Sequence, residues 1–165
     1  MAFAALVVLI TSCAQPEERS SVNSSSWKEK AVSYELSDSL VKGSSYLSVY
    51  SQIYSQTEHR THNLTATISL RNPYVKDTIY VEKAEYFDTH GKPIRTYFDQ
   101  PIYIAPMETV EIVIDEVDQE GGTGANFLFS WRTKQSSHEP LFEAVMISTY
   151  GQQGLSFATR GVRVE

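Results

Sequence analysis

Between Asn63 and Asn72 apolar and polar side chains alternate without a break, Leu64, Ala66, Ile68 and Leu70 against Thr65, Thr67, Ser69 and Arg71. A period of two puts one set on a core and the other in water, so the stretch is predicted as a strand covered on one face. Most of the later chain repeats this pattern. Tyr46 to Tyr54 carries Leu47, Val49 and Ile53 on one face and Tyr46, Tyr50 and Tyr54 on the other. In Asp77 to Phe87, Ile79 and Val81 hold one parity while Ala84 and Tyr86 hold the other. A strand changes parity only by inserting a residue, which predicts a bulge near Glu82-Lys83. Further short strands are predicted at Ile94 to Phe98, Ile102 to Ile104, Thr109 to Ile114, Phe127 to Arg132, Phe142 to Thr149 and Leu155 to Val164.

Turn chemistry separates these runs. Asp88-Thr89-His90-Gly91-Lys92 reads as a hairpin loop, because Asp88 can accept bonds from its own downstream backbone and Gly91 can take a positive φ. Ser55 to His62 reads as a polar link, and Asp115 to Gly124 as the longest irregular, glycine-rich loop. Trp27 to Ser39 fits either a short weak helix or a lead-in strand. Eight to nine short strands without a convincing amphipathic helix describe an all-β domain. The expected architecture is an immunoglobulin-like antiparallel β-sandwich of about eight strands, with a small β-barrel as the alternative.

The N-terminal segment breaks the alternation. Ala2 to Ile10 is an uninterrupted apolar run of signal-peptide core length, too short to span a bilayer as a helix. It ends at Ile10-Thr11-Ser12-Cys13, which resembles the lipobox of bacterial lipoproteins. The resemblance implies a diacylglyceryl group on the Cys13 thiol and cleavage just before it. No Lys or Arg precedes the apolar run, so a short basic segment is expected upstream of Met1. Ala14 to Ser26 is rich in Ser, Glu, Gln, Pro and Asn and reads as a flexible tether. The expected organisation is a signal peptide over 1–12, a lipidated cysteine and tether over 13–42, and a β-sandwich over 43–165.

Composition narrows the partners. A chain of 165 residues suits one domain with a sizeable core. A net charge of −6, with 14 scattered basic residues, argues against nucleic acid as a partner. A single cysteine excludes an intramolecular disulfide.

Candidate chemistry is thin. No Gly-x-Ser-x-Gly elbow is present, and His59, His62, His90 and His138 all fall in predicted turns. Glu108, Glu111 and Glu139 supply carboxylates, but their spacing selects no glycosidase pair. His59-x-x-His62 beside Glu58, and Asp115, Glu116, Asp118 and Glu120 ahead of Gly121-Gly122, are the metal-like features. Neither carries a full ligand set, so no metal or cofactor is expected. The Gly121 to Asn126 run precedes a strand rather than a helix and follows four carboxylates. Its expected role is to supply positive φ where the chain crosses between sheets. Sheet-borne arginine beside aromatics makes a recognition surface. Tyr50, Tyr54, Arg71, Arg132 and Arg160 are accordingly the candidate ligand-binding residues.

From Gly43 to Gly161 the chain resembles a family of small bacterial lipoproteins known only as a domain of unknown function. The resemblance is carried by Tyr46-Leu47-Ser48-Val49-Tyr50-Ser51-Gln52-Ile53-Tyr54 and by Asn63 to Asn72. It continues in Gly121-Gly122-Thr123-Gly124-Ala125-Asn126-Phe127 and ends at Glu143-Ala144-Val145-Met146-Ile147. The family usually has proline where this chain has Ser48. The resemblance implies a lipid-anchored envelope domain and supplies no activity. The expected function is a non-catalytic cell-envelope lipoprotein, held to a membrane by its lipid, outer membrane favoured, with an envelope protein or glycan as partner. The alternative is a metal-binding or hydrolytic envelope protein using His59, His62 and the Asp115–Glu120 loop.

Overall fold

A computed structural model describes residues 25–150 and 153–165. Cys13 and the apolar run before it lie outside the described residues. Among the described residues, one short helix, α1 (Ser25–Lys30), precedes twelve strands. Sheet I carries β1 (Val41–Val49), β5 (Ile79–Phe87), β6 (Pro93–Phe98), β7 (Ile102–Ile104), β9 (Ala125–Thr133) and β12 (Val162–Arg163). Its order is β12-β1-β9-β5-β6, with β7 also pairing β5. Sheet II carries β4 (Thr65–Arg71), β8 (Thr109–Ile114), β10 (Leu141–Tyr150) and β11 (Gln153–Arg160), in the order β11-β10-β4-β8. The strands β2 (Gln52–Ser55) and β3 (Thr57–Asn63) form a separate two-stranded ribbon. All these pairings are antiparallel. The result is a β-sandwich, and the sheets do not close into the small barrel of the alternative reading.

The alternating residues make the core. Leu64, Ala66, Ile68 and Leu70 are fully buried, between Val110, Ile112 and Ile114 of β8 and Phe142, Ala144 and Met146 of β10. Sheet I answers with Leu47, Val49, Ile79, Val81, Phe127, Phe129 and Trp131. The Phe129 and Phe142 rings, one from each sheet, stack with centroids 4.2 Å apart. Aromatic pairs of this kind add about 0.5–1.5 kcal/mol beyond their area burial. Gly43 sits directly against Trp131, where any Cβ would overlap the indole. The indole N–H donates to Ser45 Oγ at 3.0 Å, satisfying the only polar group that this buried ring carries.

The parity change in β5 is a bulge: its register against β9 shifts between Val81 and Lys83, with Glu82 as the extra residue. The Asp88 to Lys92 loop also forms as its residues require. Asp88 Oδ1 accepts the backbone N–H groups of His90 and Lys92, both at 2.8 Å, and Gly91 has φ +75°.

Three differences from the sequence reading have physical causes. The strand expected from Tyr46 to Tyr54 breaks after Val49, because the N–H groups of Ser51 and Gln52 both donate to Gly122 O at 3.1 Å, drawing the chain out of sheet I. The expected link Ser55 to His62 is instead largely β3, paired with β2 through a turn at Gln56, whose φ is +65°. The last strand divides at Gly161, whose N–H donates to Phe142 O at 2.8 Å as the chain crosses from sheet II to sheet I.

Residues 27–42, read as part of a tether, pack on the domain. Trp27 is buried against Phe98, with ring centroids 5.1 Å apart, and joins the core. Lys30 pairs with Glu108 and lies 5.0 Å over the Tyr103 ring. Val32 N–H donates to Pro101 O at 2.8 Å, and the Tyr34 and Tyr80 hydroxyls lie 3.3 Å apart.

Candidate functional site

The strands bring one set of connections to a common end of the sandwich. There the residues after β1, the β2–β3 ribbon, the Asp88–Lys92 hairpin and the Asp115–Gly124 loop meet. The chain enters at the opposite end, where α1 lies beside β7 and Glu108 opens β8.

The acidic loop is organised by a residue that the pattern did not single out. Arg95 on β6 lies directly across from Tyr86 on β5 and shares its inward face with Tyr97. Its guanidinium rests 5.6 Å over the Tyr86 ring and 5.8 Å over the Tyr97 ring. One nitrogen donates to Asp118 Oδ2 at 2.6 Å and the other to Glu120. Arg95 and Asp118 side chains are only 11% and 7% exposed, so this is a buried ion pair with two aromatic walls. Burial is the largest influence and opposes the positive charge, yet the bonds to Asp118 and Glu120, together with the charges of Tyr97 and Asp118, outweigh it and hold the guanidinium above its ordinary value.

Burial has the opposite sign for the phenols beside it. It pushes Tyr86 up to about 12, although its hydrogen bond with Ser51 works against the rise. It raises Tyr97 as well, against the pull of Arg95. The Tyr86 hydroxyl meets Ser51 Oγ at 2.8 Å, and the chain must pass close over this pair. Only glycine fits at 121: a Cβ there would overlap the Tyr86 hydroxyl and lie 2.7 Å from Ala125 Cβ and Ser51 Oγ. Gly122 has φ +68°, the conformation expected of this run where the chain passes from sheet II to sheet I. Thr89 Oγ1 donates to Gly121 O at 3.1 Å and ties the loop to the neighbouring hairpin.

The ribbon beside this loop is built differently. From Thr57 to Thr61 every residue of β3 is exposed. His59 and His62 lie on this strand rather than in turns, because pairing with β2 extends a segment whose two faces both meet water. His59 is exposed, with Nε2 3.5 Å from Glu58 of its own strand. His62 is half-buried and lines a small cavity with Ser148, Gln153 and Leu155. Gln52 joins ribbon and loop, donating to Asn63 Oδ1 at 2.9 Å and to Gln119 Oε1 at 3.4 Å. The histidines and the acidic loop therefore share an end of the molecule. Among the described residues, however, no three His, Cys, Asp or Glu side chains are grouped to hold a metal.

The five residues read as one ligand-binding surface do not form one. Arg132 is on sheet I, with Nε 2.8 Å from Glu82. Arg71 and Arg160 are on sheet II, on either side of Glu143. Arg71 Nε lies 3.2 Å from Glu143 Oε2 but off the hydrogen-bonding line, while its Nη1 donates to Thr109 Oγ1 at 3.1 Å. Tyr50 packs edge-on against Phe157 at 5.7 Å, and Tyr54 is exposed on β2. The break after Val49 is what separates Tyr46 from Tyr54, and opposite sheets separate Arg132 from the other two arginines. A signal for Arg95 was present in the sequence: an arginine at the parity of Tyr97, the face that turns inward, needs an acidic partner from elsewhere.

The chain belongs to the family described as protein of unknown function DUF3124, whose model matches residues 42–164. No curated protein and no solved structure matches it. Among the described residues, no helix is long and apolar enough to cross a membrane.

Proposed function

We propose that this chain is a lipid-anchored cell-envelope protein whose β-sandwich serves as a non-catalytic binding or accessory module. The observation that carries the reading is the apolar run Ala2 to Ile10 ending on Thr11-Ser12-Cys13, which resembles a lipobox and stands shortly before a folded domain. Cys13 is the lipid attachment site, and the expected location is the periplasmic or surface face of a membrane. The described chain enters the sandwich beside β7 and Glu108. An anchor upstream of this point leaves the ribbon and the Asp115–Gly124 loop facing away from the membrane. Support for a non-catalytic role comes from the ionisable groups at that end, where Arg95, Asp118 and Glu120 are held by one another and Tyr86 by Ser51.

Metabolic labelling with a fatty-acid analogue tests the anchor. The wild-type chain is expected to take the label and to sediment with membranes, and Cys13→Ser to do neither. Labelling of both forms, or of neither, contradicts the reading. Co-purification from detergent-solubilised envelopes tests the module: a stoichiometric envelope protein or glycan is expected with the wild type and is reduced by Tyr54→Ala on the outer ribbon.

A further inference from the structure

The two sheets have four edges, and three of them are protected against pairing with another chain. On sheet I, β12 is two residues long. The β6 edge has two register shifts against β5 and begins at Pro93, and the neighbouring β7 is covered by Ala31 and Val32. On sheet II, β8 carries Glu111 at its middle and runs into Asp115, so two such edges repel. Short strands, bulges, proline, covering segments and charge are the devices by which sheets avoid joining at their edges.

β11 has none of them along most of its length. Gln153 to Thr159 contains no proline and no charge, and its register against β10 runs without a shift through eight residue pairs. Among the described residues no strand pairs with its other side. Its middle reads Gly154-Leu155-Ser156-Phe157-Ala158, a sequence of small, large, Ser, large, small that is symmetric about Ser156. Leu155 is 41% exposed, although it lies opposite Ser148 on the inward face, and Phe157 on the same face is only half-buried.

We propose that β11 pairs antiparallel with β11 of a second copy of this chain about a two-fold axis at Ser156, joining two sheets II into one of eight strands. A two-fold interface must be self-complementary, and this strand is. An antiparallel pair keeps side chains of opposed residues on one face. Centred on Ser156, each Leu155 therefore faces the other copy's Phe157 on the inward face. On the outer face Gly154 meets Ala158, and the two Ser156 side chains meet at the axis. Each Arg160 lies beyond the paired apolar segment, so no like charges are opposed. This pairing stands whether or not Cys13 carries a lipid.

The full chain, expressed in its host envelope with a photo-reactive benzophenone side chain at Ala158, tests the proposal. Irradiation is expected to give an adduct of twice the chain mass, and the same probe at Arg60 on β3 is not. Adding Ser156→Lys, which places two ammonium groups at the axis on a site exposed in the single copy, is expected to reduce that adduct at least tenfold. Light scattering of the purified, probe-free chain gives the independent reading: a two-chain mass is expected for wild type and a one-chain mass for Ser156→Lys. A one-chain mass for the wild type, no adduct, or an adduct of another mass overturns it, the last assigning the edge to a different protein's strand.

Discussion

The Asp115–Gly124 loop and the β2–β3 ribbon lie side by side at one end of the sandwich, and both carry residue types that ligand or metal chemistry uses. They differ in what their polar groups are used for. Two of the loop's carboxylates, Asp118 and Glu120, reach inward to Arg95, and its backbone carbonyl at Gly122 holds the amides of Ser51 and Gln52. The ribbon's Thr57, Glu58, His59, Arg60 and Thr61 are all exposed. An acidic loop is thus not by itself a cation site. Here Asp118 and Glu120 are matched from within the fold, whereas every residue of the ribbon from Thr57 to Thr61 faces solvent.

Substitutions can break this comparison in graded steps. The largest effect is expected from Arg95→Ala. Removing one partner of a buried ion pair leaves the other charged and unpaired, which costs about 3–5 kcal/mol. Urea unfolding of the variant, with matched wild type, measures it. A loss near that of a surface arginine would mean that the loop does not depend on the pair.

Gly121→Ala comes next. The new methyl meets Tyr86, Ala125 and Ser51, all of which are buried. Overpacking of this kind costs about 1–3 kcal/mol, and thermal unfolding should show the loss without a change in secondary structure.

Tyr86→Phe is smaller at neutral pH, about 1 kcal/mol for the hydrogen bond to Ser51. Its sharper signature is in alkali. A phenol at about 12 in the fold titrates lower, near 10, in the unfolded chain. The stability this difference contributes is complete below the unfolded value and is lost as pH rises from about 10 toward 12. The wild type should therefore lose stability over that window more steeply than Tyr86→Phe. Parallel slopes would contradict the burial of this hydroxyl.

The smallest effect is expected on the ribbon. His59→Ala and Arg60→Ala should each change stability by less than about 0.5 kcal/mol, as surface positions do. A loss comparable with that of Arg95→Ala would erase the distinction between loop and ribbon.

The same contrast explains what could be read from the residues alone. Wherever one face of a strand is buried, the pattern is visible: Leu64 to Leu70, Val110 to Ile114, Phe127 to Trp131 and the parity change around Glu82 all appear in the fold as their alternation implies. β3 was illegible because both of its faces meet water, so Thr57 to Asn63 carries no apolar period. The break after Val49 was hidden for another reason: the carbonyl that captures Ser51 and Gln52 belongs to Gly122, more than sixty residues away. Trp27 likewise fits no local period and is placed by packing that is distant in sequence, including its contact with Phe98. Family membership over residues 42–164 was legible in the Tyr46–Tyr54, Asn63–Asn72 and Gly121–Phe127 runs. The candidate surface was not, because a list of arginines and tyrosines does not say which sheet each will join.

Amide hydrogen exchange tests most directly the claim that the loop is a structural clamp beside an open ribbon. The amides of Ser51 and Gln52, bonded to Gly122 O, are predicted to exchange only with global unfolding, while those of residues 57–61 exchange earlier by local opening. In Arg95→Ala the Ser51 and Gln52 amides should move toward the ribbon's rates. Exchange of these two amides in the wild type as fast as that of residues 57–61 would contradict the account.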